Sequence, residues 1–292
     1  MKIEILKSQI LPVSAASGAE FYKDHLYVIS DNTEGISICD LKGNLTELIS
    51  LSEGYSADEV IEKKHKSDYE ACTLISRNHS DYLLIVGSGS KKENRTKAKL
   101  VSLDGSKKVE NFDLADFYEK MRNECQIKFD DFNIEALAAY DNKLFFFNRG
   151  TNQILIVKER DFFHFFEEDE NDFKCKLIQL ELDKIDGVSA GISGASISED
   201  GLLVISASAE ETDNWYDDGE IAGSSIGIIQ ISDLEKNNRI QMISLKKKGQ
   251  FLKTKIESVA IQSIDDKKAK LFLVSDNDGK ASELFQVELL FD

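Results

Sequence analysis

The sequence predicts an all-β fold, a five-bladed β-propeller of four-stranded antiparallel blades, on three observations. First, one hairpin plan recurs five times: a polar residue opens a short apolar strand, a turn follows, and a second apolar strand returns to a polar exit. Residues 133–151, NIEALAAYDNKLFFFNRGT, show it most plainly. Second, the five opening residues, Ser17, Glu70, Glu135, Ser193 and Glu257, lie 53, 65, 58 and 64 residues apart, and the 52 residues outside them complete a fifth unit. A period of roughly 40–60 residues holding several short strands belongs to a propeller blade, not to a helical solenoid. Third, the last unit supplies only three strands, and the alternating segment 3–10 is free to complete it. Six blades, with one long unit hiding an eroded repeat, is the alternative.

Each element has its own justification. Ser17 and Leu26, Glu135 and Leu144, and Ser193 and Leu202 are each nine residues apart, which sets the length of the inner hairpin. In the other two units the turn is read as lengthened, by Arg77-Asn78-His79-Ser80 and by Asp265-Asp266-Lys267-Lys268. A small residue follows every opening (Gly18, Ala71, Ala136, Gly194, Ser258), as suits strands converging on a crowded axis. Four residues beyond each opening the side chain is apolar: Phe21, Leu74, Ala139, Ile197 and Ile261. Residues 35–41 and 45–51, around the turn Lys42-Gly43-Asn44, complete the first blade. The second unit departs from the plan after its third strand. Asp113 caps an amphipathic helix in which Leu114, Phe117, Met121 and Cys125 recur at helical spacing, packed outside the blade.

In unit three, Asp161-Phe162-Phe163-His164-Phe165-Phe166 precedes an acidic run, and reads as an insertion on the blade edge or as a partner-docking loop. Unit four has the longest connection, 207–225, which carries Glu210, Glu211, Asp213, Trp215, Asp217 and Asp218; a loop of that length is functional or mobile. Segment 3–10, paired with 283–290, closes the ring and removes an edge of unpaired backbone groups.

A chain of 292 residues with one Pro and no Pro- or Gly/Ser-rich linker reads as a single domain, 1–292. Its formal charge of −17 argues against nucleic acid and anionic membrane as partners, because both repel it. No run approaches the ~18 apolar residues of a membrane span, so a soluble, acidic chain without membrane insertion is expected, monomeric by default. The four cysteines, Cys39, Cys72, Cys125 and Cys175, have no CxxC spacing and read as buried free thiols, favouring a reducing compartment. The N-terminus alternates as a strand and lacks the apolar h-region of a signal peptide. The expected location is cytoplasmic, or periplasmic if a leader has been removed.

In an antiparallel hairpin the start of the first strand and the end of the second share one end. Ser17, Glu70, Glu135, Ser193 and Glu257 therefore share a face with Asp31, Asn32, Ser88, Asn148, Arg149, Asp276 and Asn277, forming a polar mouth on the axis. Arg95 and Arg149 stand out there, because a guanidinium can hold phosphate or carboxylate through two parallel hydrogen bonds. The expectation is a small anionic ligand bound by these two Arg, with Trp215 covering it; pairing of each Arg with a mouth carboxylate is the structural alternative. Glu70, Glu135 and Glu257 are candidates for acid–base work on a phosphoester, ester or glycoside. No GxSxG, HExxH or P-loop motif narrows the chemistry. The same three carboxylates could hold Ca²⁺, although Ser at two of five positions weakens a ring of ligands. A protein-interaction scaffold is the third reading.

The Ser-Gly-Ala openings at 17–19 and 193–195, alternating with Glu-Ala at 70–71 and 135–136 and with strands ending in Ser-Asp-Asn or Asn-Arg-Gly, resemble the phytase-like or esterase-like β-propellers and their SdiA-regulated relatives. Asp-Tyr-Glu-Ala, Gly-Ser-Gly-Ser with Arg95, and Asn-Ile-Glu-Ala with Arg149-Gly150 resemble more closely an uncharacterised bacterial family of unknown function. The resemblance spans most of the chain and implies the propeller fold.

Overall fold

Five four-stranded antiparallel sheets account for nearly all of the strands in the computed structural model, which describes residues 1–167, 172–211, 219–276 and 281–291. Strand β1 (Lys2–Ser14) stands apart at the start of the chain. Blade one holds β2 (Ala16–Tyr22), β3 (His25–Ser30), β4 (Gly35–Cys39) and β5 (Leu45–Ser50). Blade two holds β6 (Tyr69–Arg77), β7 (Ser80–Gly87), β8 (Lys97–Ser102) and β9 (Val109–Asp113), followed by helix α1 (Ala115–Cys125). Blade three holds β10 (Ile134–Tyr140), β11 (Lys143–Asn148), β12 (Gln153–Lys158) and β13 (Lys176–Gln179), with helix α2 (Glu159–Glu167) between the last two. Blade four holds β14 (Ala190–Ile197), β15 (Leu202–Glu211), β16 (Glu220–Gln230) and β17 (Gln241–Ser244), and a short ribbon of β18 (Lys246–Lys247) and β19 (Gln250–Phe251) follows. Blade five holds β20 (Lys255–Ile264), β21 (Lys268–Asp276) and β22 (Ala281–Leu290).

Strand β1 pairs with β22, with Ile3 opposite Leu289 and Ile10 opposite Glu283, so the fifth sheet runs β1-β22-β21-β20. The predicted closure holds. Strands β2, β6, β10, β14 and β20 pack against one another as the inner wall. They are not joined by ladders, and side chains bridge them instead: Ser17 Oγ donates to the Tyr69 carbonyl (2.5 Å), and the Ala19 N–H donates to Ser258 Oγ (3.0 Å).

Three inner hairpins turn through two residues with positive φ, Lys23-Asp24, Asn78-His79 and Asp141-Asn142. This backbone matches the twist of the flanking strands. The second of these corrects the expected wide turn. Arg77 pairs directly with Ser80, so the extra residues of unit two lengthen β6 and β7 rather than the loop. Connection 207–225 is likewise shorter than expected, because β15 and β16 pair as far as Glu211 and Glu220. Trp215, Asp213, Asp217, Asp218 and Asn277 lie outside the described residues.

Helix α1 forms where its spacing predicts, with Asp113 Oδ1 accepting the Ala115 N–H (2.9 Å). It buries Phe117, Tyr118 and Met121. The Phe-rich stretch is helix α2, and its Phe162 meets Phe117 edge-on at 5.1 Å. Phe162 and Phe163 are fully buried, so the aromatic side chains join two outside helices to blades two and three. All four cysteines are free thiols; Cys39 and Cys72 are buried, and Cys125 and Cys175 half-buried.

Crowding at the axis has a measurable consequence at Gly194. A Cβ there would lie 2.6 Å from Ser258 Cα and 2.9 Å from Val259 N, both backbone of the neighbouring inner strand. Gly194→Ala is expected to cost about 1–3 kcal/mol through overpacking, read as a lowered midpoint in urea denaturation; a midpoint matching the parent would show that the inner strands can move apart.

Candidate functional site

The five opening residues share a structural device that the repeat alone does not reveal. Each is the extra residue of a β-bulge: the pairing shifts register between Ala16 and Gly18, Tyr69 and Ala71, Ile134 and Ala136, Ile192 and Gly194, and Ile256 and Ser258. A bulge bends its strand and re-aims the unpaired residue. Ser17, Glu70, Glu135 and Glu257 accordingly line a cavity of 690 Å³ at the axial mouth, on one end of the ring.

Asp31, Asn32, Arg95 and Asp276, all expected at the mouth, line the same cavity. Others do not. Ser88 Oγ donates to Asp68, which fixes that carboxylate from behind. Asn148 is fully buried, donating to the Asp131 carbonyl and to Thr151 Oγ1 (both 2.9 Å) as a loop brace. Ser193 is also fully buried, against the Ser206 and Ser208 hydroxyls. Arg149, expected to hold an anion, is instead found with its guanidinium buried, donating to the Ile192 carbonyl (3.4 Å) and paired with Glu210 (3.3 Å), the structural alternative for this residue. Arg95 also pairs internally, with Asp68 at 2.8 Å and Ser90 Oγ at 2.8 Å, yet it remains on the cavity wall.

The structure adds residues that the repeat pattern passed over. Lys66 bridges Asp31 and Asp68, and Lys255 bridges Glu210 (3.1 Å) and Glu257 (3.0 Å). Asn133 donates to Glu135 Oε1 (2.6 Å). A signal for these existed. Asp68, Asn133 and Lys255 each stand two residues before an opening Glu, and Asp68 reaches the wall through a left-handed backbone (φ 56°).

Electrostatics divide the mouth. Burial, then the neighbouring Glu135, raises the Glu70 carboxyl well above its ordinary range. Burial raises Glu135 too, against the opposing pull of Arg149, and pushes Glu257 up to about 8 despite Lys255. Burial works against the charge of Arg149, but Glu135, Glu257, Glu210 and Glu70 together outweigh it and hold the guanidinium charged. Among the described residues Glu70 accepts no hydrogen bond and forms no ion pair, and Glu257 Oε2 is buried without a hydrogen-bond partner. Among the described residues the carboxylates whose oxygens converge within 4.8 Å are Asp31, Asp68 and Glu70, while Glu135 and Glu257 stand outside that group. Lys66 already supplies positive charge at Asp31 and Asp68, which opposes a Ca²⁺ site there.

A five-bladed propeller with a charged mouth built from bulged inner strands is the class of protein these features define. The chain belongs to the family of unknown function DUF6929, whose model matches residues 12–289. No curated protein matches it. Among solved structures, Myxococcus xanthus glutaminyl cyclase is similar at 11% identity, covering 99% of this chain and 97% of that one with a TM-score of 0.52, which shows the fold alone. Cellvibrio cellulosa α-L-arabinanase complexed with arabinohexaose matches at 11% identity, covering 97% of this chain and 94% of that one, with a TM-score of 0.47. A protein of unknown function from Bacteroides caccae matches at 9% identity, covering 94% and 81%, with a TM-score of 0.42. No helix among the described residues is long and apolar enough to cross a membrane.

Proposed function

We propose that the axial mouth binds a small polar ligand carrying both an anionic group and an amino or hydroxyl group. The observation that carries this is the segregation of unpaired charge. Lys63 and Lys91, exposed on the cavity wall, form no ion pair among the described residues, and Arg95 lies beside them. Glu70, on the wall of the same cavity, forms no ion pair or hydrogen bond among the described residues, and the Lys66 charge held by Asp31 and Asp68 reaches it only through its field. An anionic group thus meets cations at the rim, while the remainder of the ligand reaches Glu70, Glu135 and Glu257. This keeps the anion expected from the sequence but moves its recognition from Arg149 to Lys63, Lys91 and Arg95.

The same carboxylates support a second reading, acid–base catalysis. Carboxyls raised above their ordinary range by burial are suited to proton transfer, and perturbed carboxyls cluster at functional sites. Glu70 would then act as the acid and Glu135, which Asn133 orients, as the base.

Glucosamine 6-phosphate, glucosamine and glucose 6-phosphate form a discriminating probe set. The doubly functional compound is expected to raise the melting temperature most, since only ligand bound to the folded state stabilises it. Lys63→Ala/Lys91→Ala should remove the advantage conferred by phosphate, and Glu70→Gln the advantage conferred by the amine. Equal shifts for all three compounds, or shifts that both variants leave intact, would refute the assignment. Turnover of phosphoester, ester and glycoside substrates, lost in Glu70→Gln, would establish the second reading.

A further inference from the structure

The opposite end of the ring is chemically a different site. A cavity of 890 Å³ opens there, and its throat carries one apolar residue from each blade: Phe21, Leu74, Ala139, Ile197 and Ile261. These are the residues four beyond the five openings, so the inner strands run from a polar mouth to an apolar one. Leu202, Ile228, Ile264 and Phe291 extend the apolar wall outward. Thr73 Oγ1 accepts the Ala139 N–H (3.1 Å) and ties two inner strands together at this level.

Set into this throat is one carboxyl, Glu20, only 8% exposed. Its polar neighbours are the Thr73 hydroxyl and the backbone N–H groups of Leu74 and Phe21, and among the described residues it forms no ion pair. The rim adds Glu199, Asp200, Asp265 and Asp266, all exposed. Asp200 and Asp265 accept local hydrogen bonds, from Ser198 and from the Lys267 and Lys268 backbone, whereas Glu199 and Asp266 are exposed and form no ion pair among the described residues. No Lys, Arg or His lines the cavity among the described residues. An apolar throat with acidic groups inside it and around it, and no cation, complements one kind of small molecule.

We propose that this second mouth binds a small organic cation, an ammonium on a compact apolar body. The hydrocarbon fills the five-residue collar, with a gain that scales with the apolar area removed from water. The ammonium lies against Glu20 and within the field of Glu199 and Asp266. Burial holds the Glu20 carboxyl at about 8, so near neutral pH it carries a proton that an arriving cation would displace, leaving a charge-assisted pair in a poorly hydrated setting. A carboxylate of the same shape would meet repulsion from the acidic groups that line the cavity.

Cyclohexylmethylammonium, cyclohexylmethanol and cyclohexanecarboxylate separate these contributions by calorimetric titration of the full chain. The ammonium is expected to bind at least about tenfold more tightly than the alcohol, with no measurable binding of the carboxylate. Glu20→Gln/Glu199→Gln/Asp266→Asn should bring the ammonium down to the level of the alcohol, and Ala139→Arg should abolish both. Glu199 and Asp266 are exposed and Gln is isosteric with Glu, so the triple variant keeps the fold; retained far-UV circular dichroism checks it. Glu70→Gln locates the site. If it removes ammonium binding while the triple variant retains it, the cation sits in the polar mouth and this inference fails while the function proposed there stands. Equal affinities for ammonium and alcohol, or no binding of either at millimolar concentration, would also overturn it.

Discussion

Arg149→Met is expected to destabilise the fold by about 3–5 kcal/mol, the range for removing one partner of a buried ion pair. The guanidinium is buried, and its field reaches Glu135, Glu257, Glu210 and Glu70, so its loss leaves Glu135, Glu210 and Glu257 with Lys255 as the cation beside them. Its stem also packs over Gly191, where a Cβ would fall 2.9 Å from Arg149 Cγ, so both packing and charge depend on this side chain. The loss should be partly reversed in Arg149→Met/Glu210→Gln, because residues in one network do not contribute additively. Guanidinium chloride denaturation of the parent, the single variant and the double variant checks this. A cost for the single variant below about 1 kcal/mol, the range of exposed pairs, would return Arg149 to the role of a ligand-facing cation.

Stability should fall as the pH rises from 5.5 to 8.5, and Glu20 should account for a separable part of the fall. Burial places its folded pKa at about 8 against an ordinary 4.5, so between those values the folded chain holds a proton that the unfolded chain has lost. The contribution is therefore fully present below 4.5 and is lost as the pH passes through 8. At 1.36 kcal/mol per unit, an isolated group would contribute up to about 3 kcal/mol over this window. Glu70, Glu135 and Glu257 are shifted in the same direction and steepen the slope. Glu20→Gln mimics the neutral acid. It should match the parent below about pH 4.5 and exceed it progressively above that, by more than about 1 kcal/mol at pH 8.5; parallel pH curves for the two proteins would show that Glu20 ionises as freely folded as unfolded.

Both predictions depend on residues whose positions were legible and whose environments were not. The blade count, the closing strand, α1 and the common level of Glu70, Glu135 and Glu257 follow from local periodicity, because strand alternation and repeat spacing are written along one dimension of the chain. The apolar collar at the other end follows in the same way, from residues four beyond each opening.

Tertiary structure alone decided which charges meet. Arg149 and Glu210 are 61 residues apart and Arg95 faces Asp68 across a strand exit, so no local spacing distinguishes a ligand-binding Arg from a paired one. The five bulges were equally hidden, since a bulge is a mismatch between two paired strands and neither strand records it alone. Pairing and burial are properties of three-dimensional neighbours: the sequence by itself determined where the polar and apolar rings lie, and the packing of five inner strands determined which carboxyls remain without a partner.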